Sequence, residues 1–148
     1  MAPETARLAV KQGYTSVYLY AQGLKGWTKK GLPVESAEKI PAILVDKIPP
    51  AKVKAMLNDD DSVLLMDIRD DGHFNKMKFA VLDILHIPTI DLLDSMEIIP
   101  LDRKIVIGCH KGKLGTKIAP LLKGKGYNII GVMEGGIIAW KDAGLPIR

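Results

Sequence analysis

The sequence predicts an α/β fold, a parallel sheet with helices on both faces, preceded by a partial repeat of the same unit. Two observations predict it. Apolar runs of strand length, "SVLLMDI" (62–68) and "KIVIG" (104–108), alternate with stretches of helical spacing, the pattern of parallel sheets covered on both faces. In addition, residues 6–34 and 119–147 align without a gap. Ala6 matches Ala119, Leu8 matches Leu121, Gly13-Tyr14 matches Gly126-Tyr127, Gly23 matches Gly136, Trp27 matches Trp140 and Gly31-Leu32-Pro33 matches Gly144-Leu145-Pro146. Self-similarity at a long period means duplicated structural units.

Each copy reads as helix, strand, helix. The first helix ends at Gly13 or Gly126, residues suited to a left-handed cap. A short apolar strand follows, "SVYLY" or "NIIGVM". A glycine turn leads into a helix holding the tryptophan, which stops at Gly31 or Gly144 with a proline two residues on. Between the copies, "ESAEKIPAILVDKIPP" is richer in proline and charge and reads as a linker whose end also suits a first strand. "IPPAKVKAMLNDD" (48–60) is a proline-started helix, and "HFNKMKFAV" and "TIDLLDSM" are candidate short helices. The expected organisation is a partial, non-catalytic repeat at 1–34, a linker at 35–47 and a complete domain at 48–148.

Composition narrows the function classes. At 148 residues, 47% apolar and 26% charged, the chain can bury a core without staples. The net charge of +4 is spread too thinly for a nucleic-acid stripe. No apolar run reaches the roughly 18 residues of a membrane span. "MAPETARLAV" has no hydrophobic signal core, so the cytoplasm is the default expectation. His73, His86 and His110 share no zinc-like spacing with the single cysteine, so neither a metal nor another cofactor is expected.

That cysteine, Cys109, directly follows the strand "KIVIG", where open α/β sheets bind ligands. Thr116 is the expected N-cap of the next helix, which would leave Pro120 in the first turn. Residues His110 to Gly115 can then curl so that their backbone N–H groups converge near the sulfur, with Gly112 and Gly115 permitting the turn. Such a curl, with Lys111, Lys113 and a protonated His110, would lower the thiol pKa from its reference near ~8.5 and leave an anion open to solvent. A buried, inert cysteine is the competing reading.

The second copy resembles a rhodanese domain, the sulfurtransferase fold. The residues that carry the likeness are "LLMDIRD" (64–70), Phe74, Ile87-Pro88, the Cys109 loop and "MEGGIIAWKDAGLP" (133–146). The resemblance implies a rhodanese-like sheet in which Cys109 takes a sulfane sulfur from a donor such as thiosulfate. Residues His110, Lys111, Gly112, Lys113, Leu114 and Gly115 would hold the persulfide, and a thiol or protein acceptor would remove the sulfur. Lys111 and Lys113 would steer the anionic donor. Asp67 and Arg69 match positions that brace the fold. Leu114 stands where the family often has a basic residue and Gly115 where it often has serine or threonine, and "NKMKFAVLDILH" lacks a frequent Gly-His-Ile turn. A related phosphatase loop needs an arginine at the position of Gly115, which leaves phosphoryl oxygens without a side-chain fork. The functional alternative is a non-catalytic protein-binding module. The incomplete repeat at 1–34 exposes surfaces that seek a partner, its own catalytic domain or a second chain, so a homodimer through this segment is also an expectation.

Overall fold

The computed structural model describes residues 2–34 and 42–148, and the chain divides into two units, Met1–Lys39 and Ile40–Arg148. The larger unit carries a five-stranded sheet in the order β1-β5-β4-β2-β3, parallel throughout. Its strands are β1 (Lys47–Ile48), β2 (Val63–Asp67), β3 (Ile84–His86), β4 (Lys104–Gly108) and β5 (Ile129–Met133). Every residue of β2 is buried, as is β4 beyond its first lysine. Unalternated strands of this kind need cover on both faces, and two separate apolar clusters supply it. On one face Leu64, Met66, Ile105 and Ile107 pack with Ala119 and Leu122 of helix α5 (Gly115–Gly124) and with Leu92 and Ile99. On the other, Leu65, Val106 and Met133 pack with Val53 of α3 (Pro50–Asp59) and with Ile137 and Trp140 of α6 (Gly136–Asp142).

One expectation holds and several need correction. The end of the linker does form β1, and Val132 N–H donates to Asp46 O at 2.8 Å, so the sheet draws in residues ahead of 48. Strand β3 is too short to register as an apolar run. "TIDLLDSM" forms turns and then a 3₁₀ turn at Met96–Ile98, while helix α4 is confined to Asp71–Lys76. Thr116 is not the cap of α5. Its Oγ1 donates back to Lys113 O at 2.9 Å, the helix starts at Gly115, and Pro120 lies inside it.

The smaller unit holds α1 (Ala2–Lys11) and α2 (Gly23–Lys29). "SVYLY" between them is not a strand, because a strand is defined by its ladder and these residues pair with no neighbour among those described.

One buried pair ties the larger unit together at the carboxyl end of β2. Arg69 Nε donates to both oxygens of Asp67, at 2.9 and 3.0 Å, and Nη2 donates to Oδ2 at 2.6 Å. The remaining donors reach His73 O at 3.1 Å and Met77 O at 2.8 Å, spanning α4. Removing one partner leaves a buried charge uncompensated, at a cost of about 3–5 kcal/mol. Arg69→Ala should lower the urea midpoint by that amount of stability, and an unchanged midpoint would show that the pair braces nothing.

Candidate active site

Cys109 stands one residue past β4, at the carboxyl edge of the sheet. Its backbone is fixed from the neighbouring element. Ile137 N–H donates to Cys109 O at 2.9 Å and Ile138 N–H to His110 O at 3.4 Å, so the first amides of α6 hold the start of the loop. The approach is so close that a Cβ on Gly136 would lie 2.1 Å from Cys109 O, and its φ is +59°. Gly115 is as constrained: a Cβ there would meet Val132 Cγ1 at 2.6 Å. A serine or threonine, which stands here in many chains of the resembling family, would need Val132 to shift in this one.

Between these anchors the loop is rich in unused donors. Among the described residues, no amide N–H from His110 to Gly115 donates to a protein acceptor; the loop's hydrogen bonds are made by its carbonyls. Gly112 O accepts from Thr116 N–H at 3.4 Å, and Leu114 O accepts from the amides of Lys117 and Ile118 at 3.0 and 3.1 Å. Six consecutive free amides beside a helix N-terminus suit an anion. The sulfur does not lie open to solvent, however. Cys109 is only 2% exposed and packs in the cluster with Met66, Ile68 and Ile107. The expectation of a solvent-open thiolate is therefore wrong for this conformation, in which apolar packing covers the residue.

His110, Lys111, Lys113 and Leu114 are exposed, whereas Gly112 and Gly115 are buried against the body of the unit. Partial desolvation of the otherwise exposed His110 ring, then the nearby His73, Lys111 and Arg69, hold it below its ordinary pKa, so at neutral pH it adds little charge to the loop. The histidines that sequence spacing left scattered gather at this edge. The rings of His73 and His110 lie 5.2 Å apart, and His86 stacks on Phe74 at 3.7 Å. His73 is set by Asp70, which caps α4 and takes a 2.6 Å contact from His73 Nδ1. That contact, made by side chain and backbone, keeps the Asp70 carboxyl below its usual range. An aspartate three residues before a histidine was a readable capping signal. Lys47 had no such signal. Pairing of β1 with β5 brings it to a cleft of about 250 Å³ shared with Lys111, Lys113, Thr116 and Glu134. A larger cleft, about 580 Å³, lies at the opposite end of the strands beside Val63 and Asp83, away from the cysteine.

A family model for the rhodanese-like domain matches residues 49–143. The chain belongs to the rhodanese-like family. A sulfurtransferase of Allochromatium vinosum is 34% identical over 104 residues, 70% of this chain and 95% of that protein. The thiosulfate sulfurtransferase GlpE of Pseudomonas syringae is 25% identical over 64% of this chain and 86% of its own length. A crystal structure of a rhodanese-related protein from Thermoplasma volcanium superposes with a TM-score of 0.61 at 24% identity, over 69% of this chain and 96% of that one. The rhodanese-like fold is thus shared, and these two curated relatives are sulfurtransferases. Among the described residues no helix is long and apolar enough to cross a membrane.

Gly136→Ala places a methyl against the Cys109 carbonyl in a backbone conformation that side chains rarely adopt. It should cost about 1–3 kcal/mol. It should also change the rate at which Cys109 reacts with an aromatic disulfide under native conditions. Unaltered stability and thiol reactivity would mean that this contact does not set the loop.

Proposed function

We propose that the protein is a sulfurtransferase that carries a sulfane sulfur as a persulfide on Cys109. The observation that carries the reading is the run of six amides from His110 to Gly115, unbonded to any described protein acceptor, beside the only cysteine of the chain. We assign a thiosulfate-like anion as the donor class, a choice supported by the free amides and the neighbouring lysines. The Cys109 thiolate attacks the outer sulfur, the S–S bond breaks, and sulfite leaves with the bonding electrons. The terminal persulfide sulfur then carries the negative charge that free amides can solvate. A thiol, or cyanide in an assay, attacks that sulfur and releases the Cys109 thiolate, which completes a transfer split into two steps. At 2% exposure Cys109 meets a donor only when its cover shifts. We read residues 1–34 as a partial, non-catalytic repeat, a reading supported by the gapless alignment and by the absence of any cysteine there.

The burial of Cys109 favours one other reading, a binding module with an idle cysteine. Incubation with thiosulfate separates the two. Mass spectrometry should show one added sulfur on Cys109, lost on treatment with cyanide as thiocyanate appears. Cys109→Ser should remove both signals, and the absence of any adduct on the native chain would overturn the sulfurtransferase reading.

Lys111, Lys113 and Lys47 are among the residues that frame the cleft beside the loop. Attraction of a dianion by exposed ammonium groups acts on encounter and is screened by salt. Replacing Lys111 and Lys113 together by alanine should raise KM for thiosulfate several-fold with kcat little changed, and added salt should shrink the difference. A fall in kcat at constant KM would place the lysines in the chemical step instead.

A further inference from the structure

Residues 6–34 hold, at mostly exposed positions, the backbone shape that residues 119–147 hold within the sheet-bearing unit. The matched glycines have nearly the same φ: +95° and +94° at Gly13 and Gly126, +58° and +59° at Gly23 and Gly136, +68° and +69° at Gly31 and Gly144. Trp27 Nε1 donates to Pro33 O at 2.8 Å, as Trp140 Nε1 does to Pro146 O at 2.9 Å. Tyr14 N–H donates to Ala9 O at 3.2 Å, as Tyr127 N–H does to Leu122 O at 3.1 Å. The surroundings differ. Trp140 is fully buried and Trp27 is 36% exposed. β5 is paired on both edges, whereas no amide from Ser16 to Tyr20 donates to a described carbonyl. A nearly apolar groove of about 410 Å³ opens between Tyr20, Leu24, Trp27 and Val34.

The complete copy shows what covers such a face: polypeptide strands on both edges of the strand. Charge narrows the occupant further. Residues 1–34 hold Arg7, Lys11, Lys25, Lys29 and Lys30 against Glu4 alone, so this segment accounts for the whole formal charge of +4 and the rest of the chain is balanced. A second copy is a poor occupant for two reasons. Its matching segment brings the same positive charge. Its β1 does not fit either, because Tyr18 stands where the complete copy has Gly131, and a Cβ on Gly131 would already lie 2.5 Å from Ile48.

We propose that the face around residues 16–20 binds a separate acidic polypeptide, which adds a β-strand along this edge and seats apolar side chains in the Trp27 groove. Backbone pairing would supply affinity and the groove would select apolar side chains, as in strand-addition complexes, while charge complementarity would select an acidic partner. The proposal stands apart from the catalytic reading.

The test uses the full chain and two synthetic probes, the strand sequence KIVIG flanked on each side by three glutamates or by three lysines. Backbone amide NMR should show the acidic probe shifting residues 14–34, with a Kd at least tenfold below that of the basic probe at low salt. The triple substitution Lys25→Glu, Lys29→Glu and Lys30→Glu should abolish that preference and leave thiocyanate formation unchanged. Equal binding of the two probes, no binding of either, or shifts confined to residues 42–148 would overturn the proposal. So would co-sedimentation with phosphatidylglycerol vesicles in place of peptide binding, or a concentration-dependent dimer in sedimentation velocity that buries Trp27.

Discussion

The carbonyls of Cys109 and His110 accept the opening amides of α6, and that contact exists only because Gly136 carries no side chain. The consequence reaches across the site. With its carbonyls engaged, the loop has its amides left over, and Gly115 completes the arrangement by letting α5 begin against Val132 without a side chain between them. A loop bonded the other way, through its amides, would present carbonyl oxygens and repel an anion. The sign of the site's electrostatics is therefore set by which half of each peptide group the fold consumes.

Burial of the cysteine and freedom of the amides are compatible once the charged species is placed correctly. An apolar environment is tolerable for a neutral thiol, which is a weak hydrogen-bonding group. In the proposed reaction a persulfide would extend the side chain by one atom and carry its charge on that terminal sulfur. On that reading the loop amides, which donate to no described protein acceptor, remain for the group that the reaction would add. The same logic explains why the buried Asp67–Arg69 pair lies so near. Charge buried at the neighbouring strand end is satisfied within itself and with backbone carbonyls, so it does not compete for the loop.

Much of this was legible in the sequence because it is written in local signals. Unalternated runs gave β2, β4 and β5; glycine and proline gave the ends of α5 and α6; and the strand before Cys109 put that residue at the carboxyl edge of the sheet. What was not legible depends on partners distant in the chain. Lys47 joins the cleft through β1, a two-residue strand that exists only by pairing with β5. The meeting of His73 with His110 follows from adjacent strand ends, which spacing along the chain does not express. Thr116 misled because a good capping residue was available, while tight packing of Gly115 started the helix earlier.

Residues 6–34 and 119–147 show the same division between local and distant causes within one chain. The left-handed glycines, the helix ends and the tryptophan-to-proline hydrogen bond are formed among residues at most six apart, and they appear alike in both segments, with or without a sheet. The strand does not. "NIIGVM" is a strand because β4 and β1 take up its hydrogen bonds, and "SVYLY", with more β-branched and aromatic character than many strands, is not. Propensity makes such a segment ready to pair, and the ladder itself must come from another stretch of backbone. A segment that keeps its turns and its cap geometry is already partly arranged for pairing, so less further ordering would oppose the arrival of a strand.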